Sequence, residues 1–385
     1  MISYLKSGNK QMCFGCGACA QICPRRAIEM QEDEEGFLYP KVIPARCINC
    51  GLCRRACPVE AEHIGTFPSL GLVGFVKENS ARKESASGGA FPAIIKSVPE
   101  DAVVFGAAWK NRSEAVHDCE PAIAAYERFH KSKYVQSLIG DSYKQCKALL
   151  EAGRRVIFTG TPCQIAGLQS YLGKRAPNLL CVDLVCHGVP SSRVLENYLQ
   201  EYEQKCGRRI QRIDFRCKHK RSGEWDSKCA EIHFEDGGTQ VTDYDTNAFL
   251  RGFANGLFFR PSCSICPFAR TERISDLTIG DAWGAENYVG LNPHEGVSMI
   301  LINSTKGAEI LPALQKEMQL EEVPVHVLAE GNARLRAPDR GNPHRGTFFA
   351  EYADIGIIKE VNRIVPRVSS LRKLAHKIKK RLKRL

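Results

Sequence analysis

Two stretches of the chain hold cysteines at a spacing that suits metal chemistry. They are Cys13-Phe-Gly-Cys16-Gly-Ala-Cys19-Ala-Gln-Ile-Cys23-Pro24 and Cys47-Ile-Asn-Cys50-Gly-Leu-Cys53-Arg-Arg-Ala-Cys57-Pro58. Each reads C-x2-C-x2-C-x3-C-P, and the second repeats the first 34 residues later. Three closely spaced thiolates take three corners of a [4Fe–4S] cube, and the fourth, just before proline, reaches across to the other cube. Cys13, Cys16, Cys19 and Cys57 are therefore expected to hold one cluster, and Cys47, Cys50, Cys53 and Cys23 the other. Zinc sites use pairs of C-x2-C, not a triplet followed by C-P. A disulfide framework needs an oxidising compartment, of which there is no sign. Gly15, Gly17, Ala18 and Gly51 leave room for backbone amides to approach inorganic sulfide.

A second constellation lies further on. Ser85-Ala-Ser87-Gly88-Gly89-Ala90 opens a helix expected to run to Val98. Hydroxyls and glycines at a helix start expose amides that suit a phosphate, or they simply cap the helix. Cys163 in Gly160-Thr161-Pro162-Cys163-Gln164 sits at a strand-to-helix turn, where a thiol is thiolate-prone or plainly structural. Cys186-His187-Gly188 follows a second apolar strand, so Cys186 is expected at the same sheet edge as Cys163. His187 reads foremost as a capped core histidine, with proton donor and ligand as alternatives. Cys263-Ser-Ile-Cys266-Pro267 is half a metal site, and Cys163 and Cys186 are its natural complements. Four thiolates there would hold a third [4Fe–4S] cluster, with zinc as the rival. Cys119, Cys146, Cys181, Cys206, Cys217 and Cys229 read as core thiols. No residue stands out as catalytic.

The chain must position these groups. Its 385 residues are more than two cubes need, so two or three domains are expected. Hydrophobic (43%) and charged (25%) shares are those of a soluble globular protein. No apolar run reaches 18 residues, and Met1–Gln11 holds no apolar leader segment. Eighteen cysteines point to a reducing cytoplasm. Residues 1–64 are expected to form an α+β ferredoxin-like two-cluster module, with a solvated hairpin through Glu32–Phe37 and a short strand Phe37–Tyr39. Residues 65–80, with Pro68, Gly71 and Gly74, read as a linker. Residues 81–345 read as a larger α/β (mixed α+β) domain. Strands are expected at Val103–Trp109, Arg155–Phe158 and Leu179–Val185, alternating with helices at Asp141–Ala152, Thr161–Leu172 and Ser191–Gln204. Short strands follow at Ile210–Phe215, Cys229–Phe234 and Thr239–Tyr244, the last two joined through Asp236-Gly237-Gly238. Leu277–Trp283 and Val297–Ile302 read as strands, and Gly307–Met318 as one helix.

Residues 82 to about 290 resemble the coenzyme F420 hydrogenase/dehydrogenase beta subunit family. The resemblance rests on Ser87-Gly88-Gly89, Ser132-Lys133-Tyr134-Val135-Gln136-Ser137, Gly160-Thr161-Pro162-Cys163-Gln164, Asp183-Leu-Val-Cys186-His187-Gly188, Cys263-x2-Cys266 and Gly280-Asp281-x-Trp283-Gly284. An N-terminal two-cluster module also occurs in that family. The resemblance implies a flavoprotein that passes electrons between a hydride carrier, a flavin and iron–sulfur clusters. It implies FAD or FMN near Ser87, Gly88 and Gly89 and near Ser132, Lys133, Gln136 and Ser137, with Lys133 balancing a flavin phosphate. It implies iron–sulfur at Cys163, Cys186, Cys263 and Cys266. Reduced coenzyme F420 is one candidate donor, although no deazaflavin pocket is legible. The expected function is an iron–sulfur flavoprotein oxidoreductase serving a redox partner protein or substrate. The alternatives are a non-catalytic electron-transfer subunit and a zinc-stabilised scaffold.

Net charge is +11, but residues 361–385 hold ten Lys or Arg and no acid, which leaves +1 for the rest. No nucleic-acid partner is expected of the core. Residues 346–385 read as a basic tail. Within it Leu371, Leu374, Ile378, Leu382 and Leu385 fall on one helical face, so a basic amphipathic helix is expected, suited to peripheral contact with an anionic membrane.

Overall fold

The computed structural model describes residues 2–174, 176–221, 224–284, 291 and 295–367, with backbone alone for 220, 221 and 224–228. It shows an N-terminal iron–sulfur-type module followed by a larger mixed α/β domain. In the first module, strands β1 (Ile28–Glu32) and β2 (Leu38–Val42) form an antiparallel hairpin. Asp33 Oδ1 accepts the amides of Glu35 and Phe37 and closes the turn. The hairpin is not merely solvated, because Phe37 and Tyr39 are buried. Arg260 of the large domain lies over the Tyr39 ring at 4.2 Å, so the second strand docks across the module boundary. Two short helices, Ala18–Gln21 and Leu52–Arg55, carry Cys19 and Cys53, the third cysteine of each motif. Gly17 and Gly51 start them in the left-handed region, where a side chain is disfavoured.

The large domain is built on one eight-stranded sheet. Its strands are β3 (Leu70–Val76), β4 (Val103–Trp109), β5 (Ala115–Pro121), β6 (Val156–Gly160), β7 (Leu179–Leu184), β11 (Leu277–Asp281), β12 (Ser298–Ile302) and β13 (Met318–Glu322). The spatial order is β13-β3-β12-β11-β7-β6-β4-β5. The central run β4, β6, β7 and β11 is parallel, and the flanks are antiparallel. Val156, Ile157, Phe158, Leu179, Cys181 and Val182 are all buried, as strands covered on both faces require. A second sheet, ordered β10-β9-β8, comprises β8 (Ile210–Arg221), β9 (Glu224–Phe234) and β10 (Thr239–Thr242). Its Ile213, Phe215, Ile232 and Phe234 share a core with Leu195 and Tyr198 of the helix Ser192–Cys206.

Several expectations change. The segment read as a linker contains β3, which pairs with β12 and β13 inside the main sheet. Gly71 and Gly74 suggested a flexible joint, but they are glycines because neighbouring backbone and side chains press on them. The segment read as tail begins with two packed helices, Arg345–Ile355 and Ile357–Ile364. Phe348, Tyr352, Ile357 and Val361 are buried in the second-sheet core, an apolar set that the net charge of the tail concealed. The helix expected at Gly307–Met318 is split into Thr305–Glu309 and Leu311–Glu317, with a proline in the first turn of the second piece, and Met318 opens β13. Strand β5 and the helices Ala122–Phe129 and Ala248–Ala254 were not foreseen. The basic amphipathic helix of Leu371–Leu385 lies outside the described residues. Among the described residues no helix is long and apolar enough to cross a membrane.

Candidate functional site: three groups of thiols

All 18 cysteines are free thiols, and eleven of the twelve expected ligands, all but Cys23, fall into three groups. Cys13, Cys16, Cys19 and Cys57 are buried together. Burial first, then the neighbouring thiols, push Cys16 and Cys19 well up, and burial and Cys13 push Cys57 to about 11. Cys57 thus sits with the first triplet rather than the second. Amides of Ala18, Val59 and Glu60 lie at these sulfurs. Cys47, Cys50 and Cys53 form a more open group, with Cys50 exposed. Cys23 accepts the Ala27 amide at 3.2 Å. Buried thiols that repel one another when ionised, yet receive N–H donors, suit sulfur bound to a cationic centre.

The third group is assembled by the large sheet. Thr161 caps the helix Pro162–Leu172 in a capping box with Gln164, which fixes Cys163 in its first turn, with Sγ 3.2 Å from Thr161 Oγ1. Cys186 leaves the end of β7, the strand beside β6, so both thiols reach one sheet edge. Gly188 packs on the Phe259 ring, where a Cβ would come within 2.5 Å. Cys263 and Cys266 come from the short turn Pro261–Ile265 and its end. All four line one cavity with Thr161 and Phe14. Burial, then the other thiols, raise Cys163 to about 12 and Cys186 well above its ordinary value, and burial raises Cys263 to about 11. Amides of Gly188, Val189, Phe268 and Ala269 face these sulfurs. The set fits a four-thiolate centre.

The first and third groups share a wall. A Cβ on Gly167 of the helix Pro162–Leu172 would lie 3.1 Å from Cys16 Sγ. Cys163 is close enough to Cys16 for its thiolate charge to help push the Cys16 pKa up. Arg260 stands between the groups, fully buried. Its Nε donates to Cys13 O at 2.8 Å and its Nη1 to Gln136 Oε1 at 3.0 Å. At the far side of the cavity His187 Nε2 lies 2.7 Å from Asp339 Oδ2.

The residues that the family resemblance assigned to a flavin do not all meet. Ser87 Oγ donates to Val297 O, and Lys218 donates to Ser87 O at 2.6 Å. Gly88 is pressed between Gly74 and Ser298, and Gly89 starts the helix Ala90–Lys96 against Val76. Lys133 Nζ donates to Phe129 O and His130 O at the end of the helix Ala122–Phe129. Burial brings that amine down to about 7. Ser132 bridges to Phe215, next to Arg216. Arg216 chelates Asp281 through two 2.8 Å bonds and donates to Ala86 O. Ser87 and Ser132 therefore flank Arg216, with Lys218 and Trp283 alongside. Gln136 and Ser137 lie elsewhere. Gln136 donates to Phe14 O, and Ser137 Oγ bonds His117 Nδ1 at 2.9 Å.

Sequence reasoning missed Arg260, Arg216 and Arg273. Arg260 directly precedes the Pro261–Cys266 turn, and that adjacency was the available signal. Arg273 pairs with Asp183 at 2.9 Å, with side chains 2% and 0% exposed. It also donates to Phe268 O, tying β7 to the Cys266 loop.

Comparison with known proteins agrees with this anatomy. Residues 153–327 match the model for the C terminus of the coenzyme F420 hydrogenase/dehydrogenase beta subunit, and residues 12–61 match a 4Fe-4S dicluster domain. No curated protein matches the chain. Among solved structures, a chain of the F420-reducing [NiFe] hydrogenase complex from Methanosarcina barkeri is similar. It shows 15% identity and a TM-score of 0.46, covering 71% of this chain and 92% of that one. Two family models thus account for separate parts of the chain, a 4Fe-4S dicluster domain over residues 12–61 and the C terminus of the coenzyme F420 hydrogenase/dehydrogenase beta subunit over residues 153–327.

Proposed function

We propose that the protein is an iron–sulfur flavoprotein oxidoreductase that passes electrons between a hydride carrier, with reduced coenzyme F420 the first candidate, and a redox partner or substrate. The observation that carries this reading is the shared wall between the Cys163 group and the Cys16 group. Bound clusters and a flavin would supply one- and two-electron chemistry. Cys163, Cys186, Cys263 and Cys266 would hold a third [4Fe–4S] cluster. The four buried cysteines of the first group keep water away from the centre nearest to it. Cys50, at the surface, belongs to the group best placed to meet a partner. The flavin seat we assign is the face around Arg216. Lys218 supplies positive charge for a phosphate beside Ser87 and Ser132, Arg216 being held by Asp281, and the half-exposed Trp283 supplies an aromatic face.

One observation favours a second reading, a non-catalytic electron-transfer subunit. Lys133, Gln136 and Ser137 are already engaged with internal partners. Anaerobically purified protein separates the two. About twelve irons and one flavin per chain, with the flavin bleached by reduced F420 or another hydride donor, support the enzyme. About eight irons and no flavin overturn it in favour of the subunit.

A further inference from the structure

We propose that Cys217, His219 and Glu231 form a zinc site on the β8–β9 hairpin, separate from the three thiol groups above and independent of the function proposed for them. The Sγ of Cys217, a ring nitrogen of His219 and a carboxylate oxygen of Glu231 all lie within 4.8 Å of one another. His219 Nε2 is 3.5 Å from Glu231 Oε2.

The local fold explains why these three meet. Simple alternation along β8 would place Cys217 and His219 on the face of Phe215, in the core. Register shifts fall between Phe215 and Cys217 and again between Cys217 and His219. Arg216, with φ +63°, is the residue that the first shift leaves over. The bulge turns Cys217 opposite Cys229, onto the face that carries Glu231 and His233 of β9. Bulges re-aim side chains in this way where a site needs them.

The chemistry selects the metal. A thiolate, an imidazole and a carboxylate are the ligand types of Zn2+ and suit neither Mg2+ nor Ca2+. One thiolate and one carboxylate cancel the charge of the dication, which a half-buried site requires. His219 Nε2 is enclosed and has no hydrogen-bond partner, so a lone pair there is available to a metal. Burial raises the Cys217 thiol to about 12, so the metal would displace its proton on binding. The Asp214 carboxylate does not compete, since it holds Lys131 at 2.8 Å and lies 3.3 Å from His233 Nε2, whereas the Cys217 thiol donates to Asp214 O at 3.2 Å and gives up that bond when its proton leaves. Those contacts make Asp214 and His233 an outer ring around the ligands. Three protein ligands leave a fourth position for water, the arrangement of open zinc sites.

The test uses full-length, cluster-loaded protein purified anaerobically, exposed to excess ZnCl2 and passed over a chelating resin. Zinc and iron are counted by plasma emission, and the zinc K-edge spectrum reports the ligand shell. Expected is about one zinc per chain, with one sulfur and two or more nitrogen or oxygen neighbours. Cys217→Ser and His219→Ala should each lose that zinc and keep the iron. His219 is partly exposed, so its variant tests the site even where Cys217→Ser folds poorly. Equal zinc in wild type and His219→Ala, no retained zinc in wild type, or a four-sulfur shell would each overturn the proposal.

Discussion

Arg260 Nη2 lies 3.5 Å from Cys13 Sγ, and among the described residues no carboxylate pairs with this buried guanidinium. Its remaining donors go to Cys13 O, Leu38 O and Gln136 Oε1. A buried cation without an acid is costly unless another negative group faces it. Four thiolates around an iron–sulfur cube are such a group, and they become more negative on reduction. Replacing Arg260 by Met should therefore lower the potential of the cluster proposed at Cys13, Cys16, Cys19 and Cys57 by on the order of 100 mV. Arg260→Lys should shift it less. Redox titration followed by paramagnetic resonance checks both; an unchanged potential in Arg260→Met would show that the charge is not felt.

Cys186→Ser isolates the third group. The expected result is a loss of about four irons per chain, with the signals of the other two clusters retained. Unchanged iron with zinc lost would instead assign that cavity to zinc.

The Asp183–Arg273 pair holds the end of β7 to the loop after Cys266. Asp183→Ala strands a buried guanidinium and should cost about 3–5 kcal/mol in urea unfolding. The double variant Asp183→Leu/Arg273→Met should recover much of it, because it is the unpaired charge that destabilises.

His117 sets an acid limit on stability. It is buried and stacked on Phe158, with Nε2–H donating to Thr159 O and Nδ1 accepting from Ser137 Oγ. Burial lowers its pKa to about 4. The folded state therefore binds fewer protons than the unfolded state between about pH 6.5 and 4, and stability falls as pH falls through that window. The loss should reach about 2 kcal/mol at pH 5. His117→Gln should flatten that slope; unfolding midpoints at pH 7 and pH 5 for both proteins measure it.

The C-x2-C-x2-C-x3-C-P repeats were legible because a cube's corners are filled by residues a few bonds apart, so the spacing itself carries the geometry. The central strands were legible too. Val103–Trp109 and Leu179–Leu184 are apolar runs that only a doubly covered sheet can use. Strand β3 was hidden because Pro68, Gly71 and Gly74 mimic a linker, whereas the glycines answer to close backbone approach. The helices of residues 345–364 were hidden by averaging their charge with the basic residues that follow.

The sequence by itself determined the eight cysteines of the dicluster domain and the strand-to-helix turns that carry Cys163 and Cys186. Only the tertiary structure decided which of those groups are neighbours. Strand order set β6 beside β7 and brought Cys263 and Cys266 to the same cavity from about 80 residues or more further along the chain. It also placed Arg260 against Cys13 and turned Cys217 out of the core at a bulge. Ligand spacing within a loop follows from covalent geometry. The meeting of distant loops follows from sheet order and packing, which no local pattern records.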